Sequence, residues 1–110
     1  MNRLETAYAG QLALRQRAGE VCWWAFEPIT LRLAPRTSYT PDFLVLLADG
    51  TIECVEVKAL WSDGRVGYRD DARVKLKLAA QSFGALFRFR AVAGRIRRGQ
   101  ADWPLEEVLP

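Results

Sequence analysis

Two apolar stretches separated by Asp49-Gly50 constrain the fold of this 110-residue chain more than any other feature. The stretches cover residues 39–48 and 51–60, and each carries apolar side chains at both odd and even positions. Because strand side chains alternate between faces, both faces of these strands are apolar. Such strands are typical of a sheet that is covered on both sides, so the pattern predicts a central β-hairpin.

The length of the turn decides which side chains share a face of this hairpin. A register centred on residue 49 sets Asp42 opposite Glu56, and it requires a three-residue turn with Gly50 in the left-handed position. A two-residue turn would shift the register by one and send the two carboxylates to opposite faces. Lys58 shares the face of Glu56 in either register, because the two residues lie two positions apart.

The three-residue turn would gather two carboxylates and an ammonium at one end of the hairpin. Mg²⁺ prefers oxygen ligands and usually takes one or two protein carboxylates, keeping waters and substrate phosphates in its other positions. Asp42 and Glu56 meet that requirement, so the metal hypothesis predicts the three-residue turn. The alternative is an inert, solvated strand end. The apolar neighbours on both faces favour the functional interpretation, because charges at the end of a buried strand pair usually have a role.

Pro41-Asp42, thirteen intervening residues and Glu56-Val57-Lys58 resemble the motif of the PD-(D/E)XK nuclease superfamily, the fold of type II restriction enzymes. The longer strings are similar to phage junction-resolving endonucleases and related small phage nucleases. These strings are Phe26-Glu27-Pro28, Tyr39-Thr40-Pro41-Asp42-Phe43-Leu44 and Glu56-Val57-Lys58-Ala59-Leu60-Trp61. The resemblance covers about residues 2–92, with Ala59 at a position where many relatives have Gly.

The resemblance implies a metal-dependent DNA endonuclease that hydrolyses phosphodiester bonds in branched, Holliday-junction-like DNA. Asp42, Glu56 and the backbone carbonyl of Val57 would hold Mg²⁺, with Mn²⁺ as a substitute, and Lys58 would position or activate the attacking water. Relatives also imply a homodimer. The runner-up function is a nucleic-acid-binding or partner-dependent module that keeps the nuclease fold inside a larger DNA-processing complex. The sequence leaves three choices open: branched or linear substrates, endonuclease or exonuclease action, and DNA or RNA.

Glu5 has two interpretations. Asn2 and Glu5 have the spacing of a capping box, in which the helix-capping side chain and the acid satisfy each other's backbone N–H groups. Spacing alone favours this cap. Relatives with a Leu-Glu pair in the opening helix use that Glu as an additional active-site acid, so the resemblance adds Glu5 to the catalytic and metal-binding set.

The size and composition of the chain indicate one small domain over residues 1–110, with a core at about 2–92 and a basic, amphipathic extension at 93–110. Histidine is absent, and Cys22 and Cys54 lack metal-ligand spacing, which excludes common zinc and histidine chemistry. The two cysteines form either a disulfide or two thiols, and a reducing compartment favours thiols. No apolar run is long enough to cross a membrane and no basic-then-apolar N-terminal signal is present, which predicts a cytoplasmic protein of a bacterium or phage-infected cell without a membrane partner.

Hydrophobic periodicity predicts a mixed α/β fold in the order α-β-β-β-α-β. The predicted elements are a helix at 2–18, a strand region at 21–34 interrupted by Pro28, the hairpin at 39–60, a flexible connection at 62–67, a helix at 70–83 and a strand at 86–92. This order matches the restriction-endonuclease-like core, a central mixed sheet flanked by helices. The acidic segment 102–109 either covers the core or contacts a partner.

Basic residues predict the path of DNA. The formal net charge of +3 permits a polyanionic partner, and residues 88–98 contain five arginines and no acid. The predicted phosphate contacts are Arg88, Arg90, Arg95, Arg97 and Arg98, together with Lys75 and Lys77 from the second helix. The two lysines have an equally good interpretation as a solvated helix face. Trp61 follows the Lys58 strand directly and is the aromatic residue expected near substrate.

Overall fold

The computed structural model describes residues 1–68 and 71–110. Within these residues the chain forms two helices and seven strands. Helix α1 spans Arg3–Arg17 and α2 spans Ala72–Phe83; the strands are β1 Val21–Phe26, β2 Leu31–Ala34, β3 Thr37–Tyr39, β4 Phe43–Leu47, β5 Ile52–Ala59, β6 Arg88–Arg97 and β7 Gln100–Leu109. Asp70, the predicted first residue of the second helix, lies outside the described residues.

Five strands form a mixed sheet in the order β1-β4-β5-β6-β7. Only the β5–β6 pair is parallel, and the chain joins these two strands through α2, as parallel neighbours require a crossover. Helix α1 packs on one face of the sheet, while α2 and the separate β2–β3 hairpin pack on the other. The predicted mixed class, with a central sheet between helices, is confirmed at this level.

The two faces of β5 support two hydrophobic clusters. Val55 and Val57 join the cluster beneath α1, with Leu12 and Phe43 at its centre. Cys54 points to the opposite cluster, which lies beneath α2 and the β2–β3 hairpin. Burial on both faces explains why these strands read as continuous apolar runs, and it confirms the predicted central hairpin.

The register of β4 and β5 agrees with the three-residue turn. Phe43 pairs with Val55, the same register continues to Leu46 opposite Ile52, and the Leu47 N–H donates to the Thr51 carbonyl at 2.8 Å. Gly50 donates its N–H to the Leu47 carbonyl at 3.0 Å and has a φ of 90°, a conformation that glycine adopts without strain. One further pair in this register sets Asp42 opposite Glu56, as the metal hypothesis requires.

The segment 21–34 folds differently from the prediction. Instead of one interrupted strand region in the sheet, β1 ends at Phe26 and β2 pairs with β3 in a separate two-stranded sheet. Between β1 and β2, Glu27 with a φ of 49° and the following Pro28 change the direction of the chain. Tyr39, which was predicted to open the central hairpin, therefore ends β3 and pairs with Leu31.

The C-terminal region extends the sheet. The strand predicted to end at residue 92 continues to Arg97, and the segment 102–109 belongs to β7, so the order of elements is α-β-β-β-β-β-α-β-β. Arg98 and Gly99 form a two-residue turn with positive φ at both positions, a geometry that matches the twist of a hairpin. Pro104 obscured this strand in the sequence, yet an edge strand tolerates proline on its unpaired side.

The connection after β5 is also more regular than its glycines suggested. Leu60 and Val66 form a bridge, and the Trp61 N–H donates to the Arg65 carbonyl at 2.9 Å, so residues 60–66 make a short hairpin. Cys22 is exposed and Cys54 is buried, and both are free thiols. The disulfide alternative is therefore wrong. Neither helix of the described residues has the length and apolar character needed to cross a membrane.

Candidate active site

The predicted acidic pair and lysine lie together at one end of the β4–β5 pair. Asp42 directly precedes β4, and its Oδ2 accepts a hydrogen bond from the Val57 N–H at 2.8 Å. Glu56 is buried in β5, where its Oε2 lies 3.0 Å from the Lys58 ammonium. Val57 lies between Glu56 and Lys58 in β5, so its hydrogen bond to Asp42 holds the aspartate carboxylate close to both residues. The three charged groups therefore form one cluster.

The sequence did not predict a fourth member of this cluster. The Tyr39 hydroxyl donates to Glu56 Oε1 at 2.6 Å, and the tyrosine is only 6% exposed. Burial and the neighbouring Glu56 carboxylate raise the pKa of Tyr39 well above its ordinary value, so the hydroxyl stays protonated. The alternation of side chains along the central hairpin could not predict this contact, because Tyr39 belongs to the separate β2–β3 sheet.

The Asp42 carboxyl is electrostatically strained without a cation. Burial, then the negative charge of Glu56, raises the pKa of Asp42 to about 7, and Glu5 adds to the effect. The Val57 N–H and the Lys58 ammonium act in the opposite direction without cancelling it. A divalent cation would favour the ionised form, because it compensates the crowded negative charge.

The donor set has the chemistry of a hydrated Mg²⁺ site. Among residues 1–68 and 71–110, no cluster of three or more His, Cys, Asp or Glu side chains could enclose a metal ion. Mg²⁺ nevertheless needs only one or two carboxylates, because it keeps waters and phosphate oxygens in its remaining positions. Asp42 and Glu56 fit that requirement, and Asp42 faces a cleft of about 850 Å³ that has room for water and phosphate.

The structure confirms one of the two interpretations of Glu5, the helix cap. Its carboxylate accepts from the Asn2 N–H at 2.8 Å while its own N–H donates to Asn2 Oδ1 at 2.8 Å, which confirms the predicted capping box. Glu5 also lines the cleft beside Asp42. A role for Glu5 as an additional active-site acid stays a prediction. In that role the Glu5 carboxylate would either release the Asn2 N–H or bind the Asn2 N–H and a metal ion at the same time.

The five arginines of residues 88–98 divide between the two ends of β6. Arg95 lines the cleft with Asp42 and Lys58, and its Nε is buried without a hydrogen-bond partner among the described residues. Arg97 and Arg98 are exposed at the β6–β7 turn, where they directly follow Ile96 of the same cleft. Of the predicted DNA path, Arg95 therefore lines the cleft with Asp42, and Arg97 and Arg98 follow it at the β6–β7 turn.

The other two arginines of the predicted path lie elsewhere. Arg88 aligns with Glu53 of β5, five residues before the pairing of Lys58 with Ala93, which corresponds to about 17 Å along the strands. Arg90 is enclosed between Glu53 at 3.0 Å and Glu106 at 2.9 Å, and Arg88 reaches Glu53 at 3.6 Å. These ion pairs, which sequence proximity could not reveal, engage both guanidinium groups.

The basic residue of α2 that lies near Lys58 is Arg73, whereas Lys75 and Lys77 were the residues predicted. Lys75 pairs with Asp71 at 3.6 Å, and Lys77 is exposed. Arg73 instead lies 5.4 Å from the centre of the Tyr68 ring, and the Lys58 ammonium lies 5.6 Å from the same ring. A cavity of about 230 Å³ is lined by Lys58, Tyr68 and Arg73, and the Arg73 guanidinium donates two hydrogen bonds of 2.7 Å to the Glu107 carboxylate of β7.

Trp61 lies just beyond the cleft. It follows Leu60, which lines the cleft, and its side chain is 46% exposed. The Arg65 guanidinium stacks over the indole ring at 4.7 Å from its centre. This arrangement leaves an exposed aromatic and a cation close to the predicted catalytic strand.

Comparisons with protein-family models, with curated proteins and with solved structures found no match. The arrangement of the site residues offers oxygen ligands, an adjacent ammonium and a cleft with arginine at its wall.

The raised pKa of Asp42 predicts a pH-dependent effect of Asp42→Asn on stability in metal-free buffer. Because the folded-state pKa is about 7 against an ordinary value of 3.8, the carboxyl's favourable contribution is complete below about pH 4 and is lost as the pH rises through 7. We expect the variant to match the parent at pH 4 and to exceed its free energy of unfolding by roughly 1–3 kcal/mol at pH 8. Urea unfolding with EDTA measures this difference, and a gap that is independent of pH would contradict it.

Proposed function

We propose that this chain is a metal-dependent nuclease with a PD-(D/E)XK, restriction-endonuclease-like core that hydrolyses phosphodiester bonds in DNA. One observation carries the proposal: Asp42 and Glu56 meet at the end of two central strands, with the Lys58 ammonium 3.0 Å from Glu56. The raised pKa of Asp42 supports a cation at this position, because uncompensated carboxylates are unfavourable when buried together.

The residues have separate roles in the proposed mechanism. Asp42, Glu56 and the Val57 carbonyl would hold Mg²⁺, which when bound supplies an acidified water and neutralises charge on the phosphate. Lys58, held by Glu56, orients the attacking water and compensates the negative charge that develops on the phosphate oxygens. Glu5 lines the cleft from the start of α1 and would complete the acidic set.

Charge at the cleft supports a nucleic-acid backbone as the substrate. Arg95 lines the cleft wall, and Arg97 and Arg98 extend the positive charge to the β6–β7 turn. Contacts between arginine and phosphate do not depend on base sequence, which agrees with a substrate chosen by its shape. A branched DNA substrate and a homodimer with one site for each strand are proposed from the resemblance to phage junction-resolving endonucleases.

Arg95→Gln should weaken DNA binding and reduce its salt dependence. Each phosphate contact contributes about 0.9 to the slope of log affinity against log salt, so losing one contact should lower that slope by about one. The matched control is Arg17→Gln, which removes the same charge at the far end of α1, about 21 Å along the helix from Arg3 at the cleft. Binding titrations in EDTA at several salt concentrations measure the slopes. Equal slopes for the two variants would rule out the contact.

The proposed activity is tested directly with purified protein. A four-way DNA junction, linear duplex DNA and a structured RNA are incubated with Mg²⁺, with Mn²⁺ or with EDTA, and Lys58→Ala is assayed in parallel. We expect cleavage of the junction with either cation, none with EDTA, and a large loss of rate in Lys58→Ala. If no substrate is cut in the presence of a cation, the proposed activity is wrong.

One observation favours the partner-dependent alternative. Both oxygens of Glu56 are already engaged, Oε1 by Tyr39 at 2.6 Å and Oε2 by Lys58 at 3.0 Å. A subunit that cuts only inside a larger DNA-processing complex would keep its carboxylate in this held state until a partner or substrate rearranged it. Tight junction binding without cleavage by the isolated chain would support this alternative over the autonomous enzyme.

A further inference from the structure

The hydrogen bond between Tyr39 and Glu56 joins two parts of the fold that otherwise have separate roles. Tyr39 ends β3 of the accessory hairpin, whereas Glu56 lies in the central strand β5. The tyrosine hydroxyl is the donor in this contact, and a Glu56 carboxylate oxygen is the acceptor. Both residues are buried, at 6% and 7% exposure, which shields the bond from competing water.

We propose that Tyr39 is a positioning residue that orients the Glu56 carboxylate for a divalent cation. The proposal rests on the function proposed above. Tyr39 holds Oε1 at 2.6 Å while Lys58 holds Oε2 at 3.0 Å, so the carboxylate is fixed from both sides. Each carboxylate oxygen has a second lone pair, which leaves capacity for a metal ligand after these bonds are made. Groups that orient a metal ligand in this way typically change metal affinity or activity by about 10–100-fold.

The accessory hairpin explains how Tyr39 is itself held in place. Leu31 pairs with Tyr39 across the hairpin and is buried with it in the cluster beneath α2. At the open end, the hydroxyls of Thr30 and Thr40 lie 2.7 Å apart and tie the two chain segments together. The hairpin covers this face of the sheet together with α2, and it also holds Tyr39 against Glu56.

The test compares Tyr39→Phe with Tyr8→Phe. Each variant removes one hydroxyl from a buried tyrosine, but Tyr8 is 3% exposed in the opposite cluster beneath α1. Mg²⁺ is titrated in two assays: the rise in melting temperature of the protein alone, and the rate of junction cleavage at saturating DNA. We expect Tyr39→Phe to need about tenfold more Mg²⁺ at the midpoint of both titrations, while Tyr8→Phe keeps the parent's midpoints.

The outcomes separate this inference from the proposed function. A Tyr39→Phe protein that melts lower but keeps the parent's Mg²⁺ midpoints has lost only packing, and the positioning role is overturned. An equal shift in Tyr8→Phe overturns it as well. A parent protein that shows neither a Mg²⁺-dependent melting shift nor cleavage overturns the proposed nuclease together with the positioning role.

Discussion

Asp42→Asn should abolish Mg²⁺-dependent DNA cleavage while leaving DNA binding intact. The substitution keeps the size of the side chain and a carbonyl oxygen that can still accept from the Val57 N–H, but it removes the negative charge beside Glu56. A cation site built on two carboxylates then has only one. We expect the cleavage rate to fall by roughly a thousandfold or more, equivalent to about 4 kcal/mol in the activation free energy.

Single-turnover cleavage of a labelled four-way junction measures this rate, and binding in EDTA measures affinity separately. The matched control is Asp49→Asn, which makes the same chemical change at the exposed turn of the same hairpin. We expect the control to cut at the parent's rate. If Asp42→Asn keeps more than a tenth of that rate, Asp42 is not a metal ligand in the reaction.

The register of the central hairpin could be predicted because three local signals agree. Apolar residues on both faces indicate central strands, Gly50 suits a left-handed turn position, and the turn length fixes the pairing. Side chains alternate strictly along a strand, so a correct register determines every face. The sequence could therefore predict that Asp42, Glu56 and Lys58 lie close together, since their proximity depends only on the length of one turn.

Contacts between distant segments could not be predicted in the same way. Residues 88–98 contain no acid, which suggested free arginines, yet Glu53 reaches Arg90 from β5 and Glu106 reaches it from β7. The β7 partner was hidden because Pro104 interrupts its pattern. Tyr39 was missed for a related reason: Pro28 and the turn before it send β2 and β3 into a sheet of their own.

Glu5 shows the limit of spacing as evidence. The capping box follows from four consecutive residues, and local geometry settles it. Proximity to Asp42 depends instead on how α1 lies across the sheet, which no pattern within the helix encodes. Glu5 lies near the start of α1, and this position brings it to the cleft. Its carboxylate is therefore placed both for the helix cap and for the proposed active-site role.

Glu53 is a buried charged residue outside the proposed active site, and we expect a large effect of its substitution on stability. Its side chain is 2% exposed and contacts Arg90 at 3.0 Å and Arg88 at 3.6 Å. Arg90 is also mostly enclosed, and its second contact, Glu106, is more than half exposed. A buried charge is tolerated only with its partner, so each member of this pair depends on the other.

Glu53→Gln should lower the free energy of unfolding by about 3 kcal/mol, because it leaves the Arg90 guanidinium enclosed without its main counter-charge. Urea denaturation measures the loss. Glu20→Gln is the control: it makes the same change in an exposed pair with Arg15 and should cost less than about 1 kcal/mol. Replacing both partners, as Glu53→Leu with Arg90→Leu, should recover stability to within about 1 kcal/mol of the parent, since no unpaired charge is then buried. A double variant as unstable as Glu53→Gln would show that packing around Glu53, rather than its charge, stabilises this end of the sheet.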